Sequence, residues 1–190
     1  MDGNRRYARE VNLPIGIAYV EGFNVMQRVL RWLYLLGVSE VTVFAFSMDN
    51  FRRSQSEISI LKSVTLNSFK HMAHYANVYK EANVRFQVIG RYKMFPEEVK
   101  EIVRVAETET KDLNGMIFNF FAAYSSHDDI VGSIKDVCKK VVNNEMHPHD
   151  VNEEEVERNL QTNRCSKPDL LIRTSGETRL SNFLLWELLL

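Results

Sequence analysis

The sequence predicts an α/β fold in which a mainly parallel central sheet is flanked by helices. Four short stretches rich in β-branched and aromatic residues alternate with longer stretches whose apolar residues recur at helical spacing. This alternation is typical of βαβ units, in which a helix joins two parallel strands. A chain of 190 residues has room for one domain with a sizeable core. We therefore expect residues 1–190 to form a single domain.

The first predicted helix spans residues 22–36. Its apolar residues include Phe23 and Met26, which fall on one face, and Gly37 ends the helix. The first predicted strand follows at residues 40–46, where a β-branched and aromatic stretch is bounded by polar residues. Its continuous apolar character indicates a strand that is buried in the sheet.

A long amphipathic segment comes next, at residues 54–80. Ser54 is its candidate N-cap, and Glu57 stands three residues later, which is the spacing of a capping box. Strands and helices then continue to alternate. The remaining predicted elements are a strand at 84–89, a helix at 96–110, a strand at 116–121, a helix at 127–142, a polar loop with a short surface helix within 143–163, and a strand at 169–172.

The composition is that of an ordinary globular protein, with 45% hydrophobic and 26% charged residues. It excludes disordered, collagen-like and low-complexity chains. The net charge of −1 provides no global basic field, so we predict no nucleic-acid partner. Cys138 and Cys165 are too few for a disulfide framework or a zinc site. Glycine-rich dinucleotide and P-loop patterns are also missing from the sequence.

Polar loops follow the predicted strands, at the edge of a parallel sheet where ligands usually bind. They comprise residues 2–6, 47–53, 124–127 and 173–181. Taken singly, they also fit a plain turn, surface charge or helix caps. Together they collect six arginines, whose mutual repulsion an anion would offset. These arginines are Arg5, Arg6, Arg52, Arg53, Arg173 and Arg179.

The chemistry of these loops suits two anionic groups. Backbone amides at the start of a helix, together with arginines, suit a diphosphate, and the Asp2 carboxylate suits Mg²⁺. The two long helices add apolar residues that line either a hydrophobic tunnel or the core, and the sequence leaves this choice open. These residues are Phe23, Met26, Leu30, Leu61, Leu66, Phe69 and Met72.

Sequence blocks in the same order resemble those of the cis-prenyltransferases. They are MDGNRRYA at 1–8, FAFSMDNFRRS at 44–54 with Glu57, NFFAAY at 119–124 and PDLLIRTSGETRLSNFLLW at 168–186. The resemblance covers essentially the whole chain. It is closest to the eukaryotic branch that makes dehydrodolichyl diphosphate, with the bacterial undecaprenyl diphosphate synthases as relatives. It implies an enzyme that condenses isopentenyl diphosphate with an allylic diphosphate such as farnesyl diphosphate, supplying dolichol for protein glycosylation.

The resemblance also implies roles for individual residues. Asp2 would be a catalytic residue and the ligand of a Mg²⁺ cofactor, and Asn50 would be a catalytic residue that helps to remove a proton from isopentenyl diphosphate. Arg173, Arg179 and Ser181 would hold isopentenyl diphosphate. The full set implied to bind substrate is Gly3, Asn4, Arg5, Arg6, Ser47, Phe51, Arg53, Arg173, Arg179 and Ser181.

Compared with the family pattern, the chain lacks the first strand, which leads into the Asp-Gly-Asn turn, and the last strand. We expect a domain that is truncated at both ends. The resemblance implies a dimer, either a homodimer or a heterodimer with a Nogo-B receptor-type subunit. It also implies a peripheral location at the cytoplasmic face of the endoplasmic reticulum membrane.

A second interpretation is a catalytically silent or regulatory isoform that keeps the fold and the partner-binding surface. It is favoured by Ile15, where the family has an arginine, and by Tyr19, where the family has a histidine. His127 also stands where an arginine is common. The enzyme interpretation is favoured because the chain keeps Asp2, Asn50, Arg53, Arg173 and Arg179.

Overall fold

A three-stranded parallel sheet forms the centre of the described structure, a computed structural model that covers residues 2–74 and 76–189 and leaves out the side chains of 71–76. The strands are β1 (Glu40–Ser47), β2 (Arg85–Ile89) and β3 (Ile117–Tyr124), and their order is β1-β3-β2. Both β1 and β2 pair in parallel with β3. The predicted parallel α/β architecture is confirmed.

Helices surround this sheet. They are α1 (Asn4–Glu10), α2 (Ile15–Leu35), α3 (Gln55–His74), α4 (Ala76–Glu81), α5 (Glu97–Thr110), α6 (Ser126–Val142), α7 (Glu153–Asn159) and α8 (Leu185–Leu189). Within the described ranges, none of them has the length and apolar character needed to cross a membrane.

Two helical boundaries at the beginning of the chain differ from the prediction. Residues 4–6 form the first turn of α1 rather than part of a loop. Helix α2 starts at Ile15, one residue after Pro14, and not at residue 22. Proline favours a helix start because its φ is already helical. The periodicity missed this first part because Ile17 and Val20 are exposed, so apolar residues occur on both sides of the helix.

The central strand β3 is the most deeply buried element. Seven of its eight residues are buried, which explains why its sequence is apolar at both faces, apart from Asn119, rather than alternating. Its rings make edge-on and tilted contacts on both faces of the sheet. Phe120 meets Phe69 of α3 with ring centroids 5.1 Å apart, and Phe121 meets Phe183 at 5.4 Å. Helix α3 and the segment just before α8 therefore pack on opposite faces of one strand.

The outer edge of β2 is closed by side chains. The amide of Phe86 donates to Thr110 Oγ1 at 3.0 Å, and the amide of Val88 donates to Glu107 Oε1 at 2.8 Å. The carbonyl of Val88 accepts a hydrogen bond from Arg164. These bonds satisfy backbone groups that an edge strand would otherwise leave without partners.

The strand predicted at residues 169–172 does not form. Leu170 and Ile172 are exposed, and none of the backbone-to-backbone hydrogen bonds found among the described residues involves residues 166–181. A strand needs a neighbouring strand to take its amides and carbonyls. The segment is attached instead by side chains, since the amide of Ser166 donates to the Glu40 carboxylate at 3.0 Å.

We expect Thr110→Val to lower the free energy of unfolding by roughly 1–3 kcal/mol, because the buried Phe86 amide loses its acceptor. Urea unfolding followed by circular dichroism measures this change. Thr108→Val is the matched control: both threonines donate to the carbonyl four residues earlier, but Thr108 is exposed. Equal losses in the two variants would show that the edge bond contributes nothing.

Candidate active site

The N-terminal turn lies directly against the loop at residues 173–179. The Asp2 amide donates to Thr174 Oγ1 at 2.9 Å, and Ser175 Oγ donates to the Asp2 carbonyl at 3.1 Å. Gly3 permits this approach: its φ is +82°, and a Cβ there would lie 1.9 Å from Ser175 Oγ. Glycine is therefore required by both the backbone angle and the space.

Asp2 and Arg173 form the central ion pair of the site. Arg173 donates from Nε and Nη2 to Asp2 Oδ2 at 3.0 and 2.8 Å, while the Gly3 amide donates to Oδ1 at 2.9 Å. Partial burial raises the pKa of Asp2, but hydrogen bonds from Arg173 and Gly3 and the charges of Arg173 and Arg179 outweigh it and leave the pKa lowered. The carboxylate is therefore ionised at neutral pH.

Arg173 also reaches the other end of its own loop. Its Nη1 donates to Ser181 Oγ at 2.9 Å and to the carbonyl of Arg179. One guanidinium thus joins Asp2 to two residues that the sequence assigned to isopentenyl diphosphate. The arrangement places donors and a carboxylate side by side.

Glu177 forms ion pairs with two exposed arginines, Arg6 and Arg179. Arg6 donates to Glu177 Oε1 at 2.7 Å, and Arg179 pairs with the other carboxylate oxygen. Arg6 also donates to the Ser175 carbonyl at 2.9 Å. The sequence pointed to both arginines but not to Glu177, whose only signal was its position between charged residues of the same loop.

Arg5, the neighbour of Arg6 in α1, belongs to a second charged group around Glu57. Its Nε lies 3.7 Å from Glu57 Oε1, and Arg53 Nη1 lies 2.7 Å from the same oxygen. The Glu57 amide donates to Ser54 Oγ at 3.3 Å, so the prediction that Ser54 caps α3 is confirmed. The Glu57 side chain, however, pairs with arginines, so the capping box predicted from its spacing is replaced by ion pairs.

Tyr19 completes this second group. Its hydroxyl donates to Glu57 Oε1 at 3.1 Å and accepts from Arg53 Nη1 at 3.0 Å. Burial raises the pKa of Tyr19, so the hydroxyl keeps its proton at neutral pH. The sequence marked Tyr19 only as a departure from the family pattern and gave no signal for these hydrogen bonds.

A cavity of about 410 Å³ opens beside this second group, between α1, the start of α2 and α3. Its polar lining includes Arg5, Arg9 and Glu57, and its apolar lining includes Leu13 and Ile60. Charged and apolar walls meet in one space. Such a lining suits a ligand with an anionic head and an apolar portion.

Asn4 packs closely on α2. A Cβ at Gly22 would lie 2.6 Å from Asn4 Oδ1, so the glycine allows α1 to approach α2 at this point. The Asn4 side chain therefore lies directly against the backbone of α2. The position suits the cradle role that the resemblance implies for it.

Ser47 and Asn50 are hydrogen-bonded to each other at the end of β1. Asn50 Oδ1 accepts from the Ser47 amide at 3.1 Å, and Ser47 Oγ accepts from the Asp49 amide at 3.1 Å. These bonds shape the short 3₁₀ turn Met48–Arg52. The adjacent Phe51 packs on Phe46 with ring centroids 5.0 Å apart. These hydrogen bonds give Asn50 a structural task in addition to its implied chemical one.

The loop at residues 124–127 serves the structure. Tyr124 ends β3, and Tyr124 and Ser126 are buried. Ser125 caps α6 by accepting from the Asp128 amide, and Asn182 donates to Ser125 Oγ at 2.6 Å. The helix-cap interpretation is therefore confirmed for Ser125, whereas Ser126 is the first residue of α6 and its Oγ accepts from the Leu185 amide at 3.1 Å.

The residues around Asp2 suit a magnesium ion that is shared with a substrate. Within the described part of the chain, no three His, Cys, Asp or Glu side chains form a metal-binding group. Mg²⁺ is commonly held by one or two carboxylates together with substrate phosphates and waters. A single ionised Asp2 fits that pattern, whereas a site built only from protein ligands would not.

Comparisons with known proteins give a consistent result. The family model described as putative undecaprenyl diphosphate synthase matches residues 1–190. The human dehydrodolichyl diphosphate synthase complex subunit is 37% identical over 187 residues, which cover 98% of this chain and 56% of the human protein. The chain therefore spans about half the length of this relative.

An archaeal enzyme and a solved plant structure are also similar. The tritrans,polycis-undecaprenyl-diphosphate synthase (geranylgeranyl-diphosphate specific) of Pyrococcus horikoshii is 36% identical over 99% of this chain and 71% of its own length. The lavandulyl diphosphate synthase of Lavandula x intermedia, solved with dimethylallyl diphosphate, has a TM-score of 0.91 at 30% identity and covers 98% of this chain and 80% of its own.

We expect Arg173→Gln to raise the pKa of Asp2 towards its ordinary value, because the carboxylate loses a charged donor. Carbon-13 NMR titration of the aspartate carboxyl groups measures this pKa. Arg52→Gln is the control, since Arg52 belongs to a polar loop but its ion pair is with Asp49, at 3.6 Å. An Asp2 pKa that is the same in all three proteins would contradict the pairing.

Proposed function

Because the chain belongs to the cis-prenyltransferase family, we propose that it condenses isopentenyl diphosphate with an allylic diphosphate. The product would be a long-chain polyprenyl diphosphate. The 37% identity to the human subunit supports dehydrodolichyl diphosphate, used for dolichol and protein glycosylation, as that product. The archaeal relative is geranylgeranyl-diphosphate specific by name, which supports geranylgeranyl diphosphate as the allylic primer; farnesyl diphosphate is the other primer to test.

The observation that carries the proposal is the pair of cationic groups on either side of α1. One contains Arg173 and Arg179, and the other contains Arg5 and Arg53. Arg6, at the start of α1, shares Glu177 with Arg179. Each group keeps its arginines next to a carboxylate. Arginine forks match phosphate oxygens, so each group provides donors for one diphosphate.

The two diphosphates are assigned by residue. Isopentenyl diphosphate would bind Arg173, Arg179 and Ser181. Hydrogen bonds from Arg173 already hold the other two residues beside it. The allylic diphosphate would bind the start of α1 and the second group. Its residues would be Gly3, Asn4, Arg5, Arg6 and Arg53, while Ser47 and Phe51 line the space beside Asn50.

The reaction needs charge to be stabilised and a proton to be removed. The allylic carbon–oxygen bond breaks and diphosphate leaves with the electron pair; the double bond of isopentenyl diphosphate then attacks the allylic carbon, and the adduct loses one proton. Preset arginine donors stabilise the leaving diphosphate. The released diphosphate would accept the proton, Asn50 would help to position isopentenyl diphosphate for its loss, and Asp2 would orient Arg173 and the diphosphate.

Asp2 would also be the protein ligand of Mg²⁺. When bound, the ion would neutralise part of the diphosphate charge. The lowered pKa of Asp2 supports this assignment because only the ionised carboxylate binds a metal. The remaining positions around the ion are suited to diphosphate oxygens and waters.

The growing hydrocarbon chain would lie between α2 and α3. Phe23, Met26 and Leu66 are partly buried and pack against the core, and Leu30, Leu61 and Phe69 are buried. All six belong to one core cluster or pack against it, so the hydrocarbon chain would enter by separating α2 from α3. The side chain of Met72 lies outside the described residues.

The partner and location are proposed from the human relative. Its name describes a complex subunit, which supports a heterodimer with a Nogo-B receptor-type subunit; a homodimer is the other form to test. Peripheral association with the cytoplasmic face of the endoplasmic reticulum membrane accords with a lipid product. The net charge of −1 gives no support to a nucleic-acid partner.

A silent or regulatory isoform remains the second candidate. It is favoured by the internal pairing of Glu57 with Arg5 and Arg53, which a diphosphate must displace. Tyr19 and Ile15 replace a histidine and an arginine in the same region. Such an isoform would keep the fold and the partner surface without turnover.

We expect Asp2→Ala to lower turnover by at least about 10²–10³-fold, the effect of removing one group that stabilises developing charge. Incorporation of radiolabelled isopentenyl diphosphate, with and without the partner subunit, measures this loss. Asp49→Ala is the matched control, because Asp49 is an exposed aspartate of another polar loop. Activity of Asp2→Ala at the level of the control would overturn the assignment, and no product from the unsubstituted chain in either assay would establish the silent isoform.

We expect Tyr19→Phe to raise the KM for the allylic diphosphate by about three- to tenfold, with kcat changed less than about twofold, because one hydrogen bond that positions Arg53 is lost. Steady-state kinetics separates the two constants. Tyr34→Phe is the control on the same helix, since Tyr34 is exposed. A fall in kcat with an unchanged KM would contradict a positioning role for Tyr19.

A further inference from the structure

We propose that the C-terminal end of α2 is a docking surface for an anionic lipid membrane. This α2 end surface consists of Arg28, Arg31, Trp32, Leu35 and Leu36. It joins two cations to three large apolar side chains at the end of one long helix. Its assignment to a lipid partner rests on the proposed function, whose product is itself a lipid.

The apolar residues of this surface are among the most exposed large hydrophobic side chains of the described residues. Trp32 is 61% exposed, Leu35 is 70% exposed and Leu36 is 78% exposed. At 100° per residue, the five residues of the surface span an arc of roughly 140° on one side of the helix. Grouped apolar exposure of this kind marks an interaction site more often than scattered exposure does.

The core does not explain these residues. Helix α2 already buries a separate apolar face, on which Leu30 is buried and Phe23, Met26 and Leu33 pack against the core. That inner face lies on the opposite side of the helix from Trp32 and Leu35. The helix therefore has a second apolar surface directed to solvent.

The charge of the surface favours an anionic partner. No acidic residue occurs between Glu21 and Glu40, while Arg28 and Arg31 both lie in that interval. Neither arginine takes part in an ion pair with any side chain that the structure describes. Exposed arginines beside tryptophan and leucine are typical of helices that lie at the membrane interface.

Helix α6 offers a useful comparison because it also exposes apolar residues, Val131 and Ile134. These side chains are smaller than tryptophan. The helix also carries acidic residues, among them Asp136, which pairs with Lys139 at 2.7 Å. An anionic membrane would be attracted less strongly to that face, so α2 is the favoured surface.

The α2 end surface lies far from the diphosphate groups along the helix. Tyr19 contacts Arg53 near the start of α2, and Leu35 is sixteen residues later, about 24 Å along the axis at 1.5 Å per residue. The charged heads of the substrates would therefore remain at one end of α2. The hydrocarbon portion of the product would point along the inner face towards the end that meets the membrane.

The test measures binding of the 190-residue chain to vesicles without substrate. The vesicles contain either phosphatidylcholine alone or phosphatidylcholine with about one third phosphatidylserine, and flotation gives the bound fraction. We expect binding to the anionic vesicles that weakens with added salt. Trp32 emission should shift to the blue, and Trp32→Phe should abolish that shift, since the chain has only two tryptophans.

Substitutions test the chemistry of the surface. Arg28→Gln and Arg31→Gln should each weaken binding to anionic vesicles by roughly fivefold. The double variant Leu35→Ser with Leu36→Ser should weaken it by more than about tenfold. Ile134→Ser and Lys135→Gln on α6 are the matched controls and should bind as the unsubstituted chain does. Circular dichroism and urea unfolding verify that each variant is folded.

The outcomes separate this proposal from the proposed function. Equal binding by the α2 and control variants, or no binding to anionic vesicles, overturns the docking surface even when the chain makes product in detergent. Binding that depends on the α2 residues supports it even when the chain makes no product. Self-association in light scattering that the α2 substitutions abolish, without vesicle binding, assigns the surface to a second copy and overturns the lipid proposal.

Discussion

The contact between Asp2 and Arg173 is the constraint on which the rest of the site depends. The two residues are 171 positions apart, so this ion pair fastens the beginning of the chain to a loop near its end. Gly3 makes the approach possible, and α1 then directs Arg5 and Arg6 to different sides. Together with the Arg6–Glu177 pair, this contact brings the arginines of the first and last polar loops close to one another.

Internal carboxylates allow so many arginines to share a small region. Glu57 and Glu177 each hold two guanidinium groups, and each side chain is only 18% exposed. The repulsion between neighbouring cations is offset before any ligand arrives. A diphosphate that binds here as proposed must therefore compete with these carboxylates, and in return it meets donors that are already oriented. Selection for a doubly or triply charged anion over a singly charged one follows from this competition.

The sequence pattern predicted the three strands of the sheet and most of the helices correctly, because the apolar residues of each of these elements pack against the core. It was insufficient where the deciding contact comes from a distant residue. Residues 169–172 have strand-like side chains but no neighbouring strand, and α2 begins before its periodicity becomes clear. Tyr19 and Glu57 meet across two helices, and Glu177 meets Arg6 across the chain. Contacts between residues that are distant in the sequence leave no local pattern, whereas the arginine-rich loops are visible in the sequence itself.

The closed edge of β2 affects how molecules of this protein meet one another. Open strand edges let identical chains add to a sheet and grow into aggregates. Here the amides of Phe86 and Val88 are occupied by Thr110 and Glu107 of the same molecule. A second chain would have to break both bonds, and the link from Arg164, before it could pair. The side chains that complete this strand thus also keep it from acting as a template.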